Sequence, residues 1–178
     1  MQGIFQKENT DKVLKYGIYR HLPTYEKIIR NLVSFYVKNA TFDTTNIKLD
    51  DGDFDANTLT ANSGKLTFSY GDCDLQKASL GNISLTSKDG DLTVNELTLS
   101  GKTKIALSYG DAEITLNDST KKVSGFDLAT HYGTITASGL NGNKTLDEDD
   151  DVNTFQSDSK DGKTKLSIDS KDGDITVK

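Results

Sequence analysis

Residues Leu66 to Val94 read LTFSYGDCDLQKASLGNISLTSKDGDLTV. One pattern occurs twice in this stretch: apolar residues at alternate positions, a Gly-Asp turn, then alternation again. Tyr70-Gly71-Asp72 is the first turn and Asp89-Gly90-Asp91 the second. The same punctuation stands at Asp51-Gly52-Asp53, Tyr109-Gly110-Asp111, Tyr132-Gly133-Thr134 and Asp172-Gly173-Asp174. From Gly52 through Gly71 and Gly90 to Gly110 the interval is about 19 to 20 residues, a period that marks stacked repeat units.

Three apolar columns follow when residues are counted from each turn glycine. Two positions on stand Phe54, Cys73, Leu92, Ala112, Ile135 and Ile175. Four positions on stand Ala56, Leu75, Val94, Ile114, Ala137 and Val177. Five positions back stand Ile47, Leu66, Leu85, Ile105, Leu128 and Ile168. A strand sends alternate side chains to opposite faces, so Leu92 and Val94 share a face that Thr93 does not. The expected fold is all-β: a single-stranded parallel β-helix, or a flattened relative, with about 19 to 20 residues per rung and rungs about 4.8 Å apart. Glycine suits the corner because a tight turn needs positive φ. Ser63-Gly64, Leu80-Gly81, Ser100-Gly101 and Ser124-Gly125 predict a second corner, giving each rung two or three sides.

The chain of 178 residues suffices for one domain with a core. A mean hydropathy of -0.55 is low for an ordinary globule but suits a solenoid, whose core is a narrow column. The net charge of -6 argues against nucleic acid and anionic membrane surfaces, which need clustered Lys and Arg. Cys73 is the sole cysteine, so no intrachain disulfide or cysteine-based metal site is expected; its inward column makes it a small core residue. No leader and no long apolar run is visible, and any membrane attachment would lie in segments outside this sequence.

The organisation reads as an irregular N-terminal cap over 1–38 and a repeat domain over 39–178. Within the cap, Pro23 and Thr24 open a possible short helix with Ile28, Ile29, Leu32 and Val33 on its apolar side. The β-formers Ile28, Ile29, Val33, Phe35, Tyr36 and Val37 equally allow a strand pair. Residues 139–154, GLNGNKTLDEDDDVNT, predict a solvated acidic loop centred on Asp147-Glu148-Asp149-Asp150-Asp151. Asp161-Gly162 predicts the tip of a C-terminal hairpin flanked by Phe155, Leu166 and Ile168.

Two columns at the corner are candidates for binding. Asp53, Asp72, Asp91, Asp111 and Asp174 follow the glycine. Stacked about 5 Å apart, such carboxylates repel by roughly 1 kcal/mol per pair in water. Asx-turn bonding to local N–H groups, helped by Lys88 and Lys171, would offset this; a bound cation is the less favoured alternative. Tyr70, Tyr109 and Tyr132 precede the glycine. They read either as a carbohydrate platform or as an aromatic ladder shielding the corner. The candidate binding residues are therefore Tyr70, Tyr109, Tyr132, Asp72, Asp91 and Asp111. No catalytic residue, metal site or cofactor is expected. His21 and His131 are the only histidines, neither tied to a Ser or Asp by a known motif, and Arg20 and Arg30 lie outside the repeats.

The units around Ser69 to Leu75, Ser87 to Val94, Ser108 to Ile114 and Ser170 to Val177 resemble the bacterial adhesin-like family of toast-rack domains. The resemblance spans roughly residues 40–178, and Thr134 departs from its Asp. It implies a right-handed β-helix-like domain, often of cell-envelope proteins, and brings no catalytic residues. The expected function is a non-enzymatic binding or structural module of the bacterial cell surface or envelope, with a surface protein or glycan as partner. A scaffold or sensor acting by self-association is the alternative, and a glycan-active enzyme a more remote one.

Overall fold

The computed structural model describes residues 7–10, 13–16, 21–29, 34–147 and 151–178; side chains are described from Phe35 to Leu146 and from Asp151 onward. Its strands form one curled, mixed sheet. β4 (Ser34–Leu49), β5 (Asp53–Phe68) and β6 (Cys73–Asp89) are successive full rungs, each parallel to the last. β7 (Leu92–Leu99) and β8 (Lys102–Tyr109) share the next rung, and β9 (Ala112–Leu116) starts another.

Like residues stack as the alternation predicts. Leu66 pairs with Leu85 and Leu85 with Ile105, and all three are buried. Phe35, Phe54, Cys73, Leu92 and Ala112 form a second buried column. Its first rings stack, with Phe35 and Phe54 centroids 5.6 Å apart. Burial pushes the Cys73 thiol well above its ordinary pKa, with Asp74, Asp55 and Asp72 adding to the effect. Cys73 is a core residue, not a reactive one.

The corner glycines answer two demands at once. Gly90 has φ 126°, and a Cβ there would lie 2.2 Å from the Gly71 carbonyl oxygen. Any side chain would therefore be strained locally and would also push rungs apart. The second corner meets expectation only in part. Gly64 lies opposite Thr45 and Ile83, and Gly125 opposite Lys165, while Gly101 lies against Gly81, where a Cβ would be 3.0 Å from the Gly81 carbonyl carbon. β5 and β6 curve through this corner unbroken, whereas Ser100-Gly101 does break the next rung, between β7 and β8.

Beyond β9, spatial order departs from chain order. The short helix α1 (Asp118–Val123), capped by the Asn117 side chain on the Thr120 N–H at 2.8 Å, carries the chain past one rung position. β10 (Gly125–Thr130) and β11 (Ile135–Ala137) then form the far end of the coil. The last segments, β14 (Lys165–Ser170) and β15 (Ile175–Val177), return to the vacated position. β14 lies parallel between β8 and β10, and β15 parallel between β9 and β11. The apolar columns therefore run Ile105–Ile168–Leu128 and Ala112–Ile175–Ile135. The final rung is inserted, not appended.

This corrects the C-terminal part of the sequence reading. Part of 139–154 is not loop: β12 (Asn143–Asp147) and β13 (Val152–Ser157) pair antiparallel, and β13 pairs antiparallel with β10. Glu148, Asp149 and Asp150 lie outside the described residues. The hairpin expected at Asp161-Gly162 is absent, because β13 and β14 flank β10 on opposite sides. Residues 158–164 instead cross over β10, organised by Asp161. Its Oδ1 accepts the Lys163 and Thr164 N–H groups at 2.8 Å and the Ser159 hydroxyl at 2.5 Å. Its Oδ2 accepts the Thr164 hydroxyl.

The β12–β13 hairpin closes the coil. The last rung has carbonyls with no following strand. Asn153 Nδ2 donates to the Gly133 carbonyl at 2.7 Å and Lys144 Nζ to the Ile135 carbonyl at 2.8 Å, satisfying them. At the other end β1 (Lys7–Thr10) pairs antiparallel with β2 (Val13–Tyr16), and β2 and β3 (His21–Ile29) pair parallel with β4. The short helix expected from Pro23 does not form; the backbone there is extended and in rung register. Pro23 is the one β3 residue outside the register with β4, as suits a residue with no N–H to give a ladder. Leu32 and Val33, on the helix reading's apolar side, lie outside the described residues. The antiparallel pairs at both ends make the sheet mixed rather than a purely parallel helix.

Candidate functional site

The corner edge is built from one backbone motif repeated up the coil. Gly71, Gly90 and Gly110 donate their N–H groups to the carbonyls of Asp89, Tyr109 and Asp172 on the following rungs. The glycine stack runs Gly52, Gly71, Gly90, Gly110, Gly173, Gly133. The inserted rung therefore places Gly173 between Gly110 and Gly133.

The aspartates after the glycines link the rungs directly. Asp53 Oδ1 accepts the Asp72 N–H at 3.1 Å, Asp72 that of Asp91 at 2.9 Å, and Asp91 that of Asp111 at 2.8 Å. Asp111 accepts from Asp174, and Asp174 from Thr134, both at 2.8 Å. Each carboxylate bonds the next rung's N–H rather than closing an Asx turn within its own rung, which differs from the expected turn bonding. Among the described residues no group of three His, Cys, Asp or Glu side chains is placed to hold a metal ion. Thr134 is explained as well. It ends the ladder on the last rung, where only its N–H is used and no carboxylate is required.

The residues before the glycines are arranged differently. In spatial order they are Asp51, Tyr70, Asp89, Tyr109, Asp172 and Tyr132. Tyr and Asp alternate without a break. One position earlier stand Asp50, Ser69, Lys88, Ser108, Lys171 and His131. Over the four middle rungs the edge therefore repeats every two rungs, Ser-Tyr-Gly followed by Lys-Asp-Gly, with Asp50 and His131 departing at the two ends. The tyrosines do not stack on one another, contrary to the expected aromatic ladder. They stand two strand spacings apart, roughly 9.6 Å. They are among the most exposed large side chains of the described residues: Tyr70 48%, Tyr109 50% and Tyr132 66%.

Lys88 ties one unit together. Its Nζ donates to the Tyr70 hydroxyl at 3.2 Å and lies 5.2 Å from the ring centroid. The Tyr70 hydrogen bond and charge, with lesser help from Asp89 and Tyr109, raise the Lys88 pKa above its ordinary value. Lys171 occupies the equivalent place beside Tyr109. The sequence reading brought Tyr70, Tyr109, Tyr132, Asp72, Asp91 and Asp111 to one edge, and they do share it. It missed Lys88 as a partner of Tyr70, although the Ser-Tyr and Lys-Asp pairs ahead of each glycine carried that signal.

Away from the edge, Asp55 pairs in register with Asp74 on the next rung. Partial burial, then Asp74 and Asp53, raise its carboxyl above the ordinary value. A cleft beside α1 is lined by Asp118, Lys121, Lys122 and Lys160.

No curated protein and no solved structure matches the chain. A family profile described as Toastrack DUF4097 matches residues 34–178, the stretch that carries the stacked rungs, the Asp ladder and the inserted C-terminal strands, and the chain belongs to that family.

Proposed function

We propose that this chain is a non-enzymatic binding module of the bacterial cell surface or envelope, working through the edge that carries Tyr70, Tyr109 and Tyr132. The observation behind this reading is the regular exposure of three aromatic rings on a corner whose backbone is locked rung to rung. Rings that shielded the corner would pack on one another; these are separated by Asp89 and Asp172 and stay about half exposed or more. A rigid row of exposed rings costs little ordering on association, which is what a recognition surface needs. Asp72, Asp91 and Asp111 support the edge by holding its backbone in register.

The test is binding to a glycan array and to sedimented bacterial envelope fractions, comparing the native chain with a Tyr70/Tyr109/Tyr132→Ala triple variant. Loss of binding in the folded variant supports this edge. Full binding by the variant removes it.

A further inference from the structure

The strict alternation of Tyr and Asp along the corner is present only in spatial order. In chain order the residues before the glycines read Asp51, Tyr70, Asp89, Tyr109, Tyr132, Asp172. Insertion of the last rung between Gly110 and Gly133 restores the period. The edge thus offers a ring, a hydrogen-bonding gap, a ring, a gap and a ring along one stack of glycine turns. Tyr70 to Tyr132 is four strand spacings, roughly 19 Å.

Three properties narrow the ligand. Its repeat must match two strand spacings. It must present a flat apolar face at each repeat, because the rings are the exposed apolar elements of the edge. It must accept polar contacts between rings, where Asp89 with Lys88 and Asp172 with Lys171 stand. Charge excludes a polyanion, since Asp51, Asp89 and Asp172 here, with the Asp ladder beside them, outnumber Lys88 and Lys171. A protein partner of ordinary interface size, about 800 Å² per side, would need a broader contact than one line of rings.

We infer that this edge binds an extended, uncharged β-1,4-linked hexopyranose polymer laid along the coil axis, one disaccharide per pair of rungs. The inference rests on the binding-edge reading above and adds the ligand class. In a β-1,4 chain successive sugars turn over, so the same face recurs at every second sugar. That repeat is close to two strand spacings. The axial C–H groups of an all-equatorial pyranose form a flat apolar face that stacks on an aromatic ring, while its equatorial hydroxyls point sideways to Asp and Lys. An α-1,4 chain curls and cannot keep faces on three evenly spaced rings of one edge. Lys88 holds Tyr70 by its hydroxyl, so that ring is positioned before any ligand arrives.

The experiment is isothermal titration of the full chain with cello- and chito-oligosaccharides from disaccharide to hexasaccharide, with maltohexaose as the α-linked comparison. A hexasaccharide spans all three rings and a disaccharide only one. Affinity should therefore rise at least tenfold from disaccharide to hexasaccharide, and maltohexaose should not bind. Tyr109→Ala, which removes the central ring, should weaken hexasaccharide binding about five- to tenfold. The rings are exposed, so the variant's fold is checked by circular dichroism. Equal affinity for all lengths, equal binding of maltohexaose, or an unaffected Tyr109→Ala would overturn the inference. If no oligosaccharide binds but envelope fractions still bind through the tyrosines, the ligand class falls and the binding edge stands. If neither binds, both fall.

Discussion

Asp174 and Thr134 are joined across rungs: Asp174 Oδ1 accepts the Thr134 backbone N–H at 2.8 Å, although Thr134 comes 40 residues earlier in the chain. Asp174 itself donates its N–H to Asp111, 63 residues before it. One carboxylate ladder therefore passes through the end of the chain and back into its middle.

The inserted rung is predicted to be indispensable. Leu166, Ile168, Ile175 and Val177 are fully buried, each contributing about 1.5 to 3 kcal/mol. Their sum, about 6 to 12 kcal/mol, is the size of a whole domain's stability. A chain ending at Thr164 should lose its cooperative thermal transition and expose the edges of β8 and β10. A synthetic peptide of residues 165–178 added in trans should restore the transition. A truncated chain that melts like the native one would show that the slot is not needed.

The Asp ladder acts through its acceptor oxygen rather than its charge. Asp91→Asn keeps an oxygen for the Asp111 N–H and should change stability little. Asp91→Ala removes it and should cost about 0.5 to 1.5 kcal/mol in urea unfolding. Equal effects of the two substitutions would count against this account, and a transition that responds to chelator would point to a bound cation instead.

Asp161 predicts an acid-sensitive crossover. The Ser159 hydroxyl, then the Thr164 hydroxyl and the Thr164 and Lys163 N–H groups, hold its carboxyl well below the usual range. A depressed folded pKa means stability that is complete above the unfolded value, about 3.9, and lost as pH falls through and below it. The stability gap between the native chain and Asp161→Asn should be constant near neutrality and shrink from about pH 5 toward pH 2. Unfolding midpoints across that range measure it; a gap that widens on acidification would contradict the assignment.

Ser170 is a weak point of the inserted rung. It is fully buried between Leu107 and Thr130, and its hydroxyl has no hydrogen-bond partner. Ser170→Ala removes an unsatisfied polar group and should raise stability by about 1 kcal/mol. A lower melting temperature in this variant would mean that the hydroxyl has a partner in solution.

Much of this architecture was legible in the residues. Alternation around each corner glycine placed Leu66, Leu85 and Ile105 in one column because period-two patterning and a turn needing positive φ constrain each rung on its own. The N-terminal segment was ambiguous for the same local reason: Ile28 and Ile29 suit a helix face or a strand, and only pairing with Lys48 and Leu49 settles the backbone. The hairpin was misplaced because Asp161-Gly162 carries turn chemistry that serves a crossover equally well. Nothing near Asn143 announces that β12 and β13 will cap the coil.

Rung content, then, was written locally: glycine at the corner, apolar residues facing in, tyrosine or aspartate beside the turn. Rung order was not. Ile168 fits beside Ile105 as well as Leu128 does, so the columns alone cannot say which rung lies next. That was decided by α1 stepping over one position and by β14 filling the gap between two strands with unpaired backbone groups. The even spacing of Tyr70, Tyr109 and Tyr132 exists only because of that choice, since side chains far apart in the chain acquire a common period only when hydrogen-bonded strands set their distance.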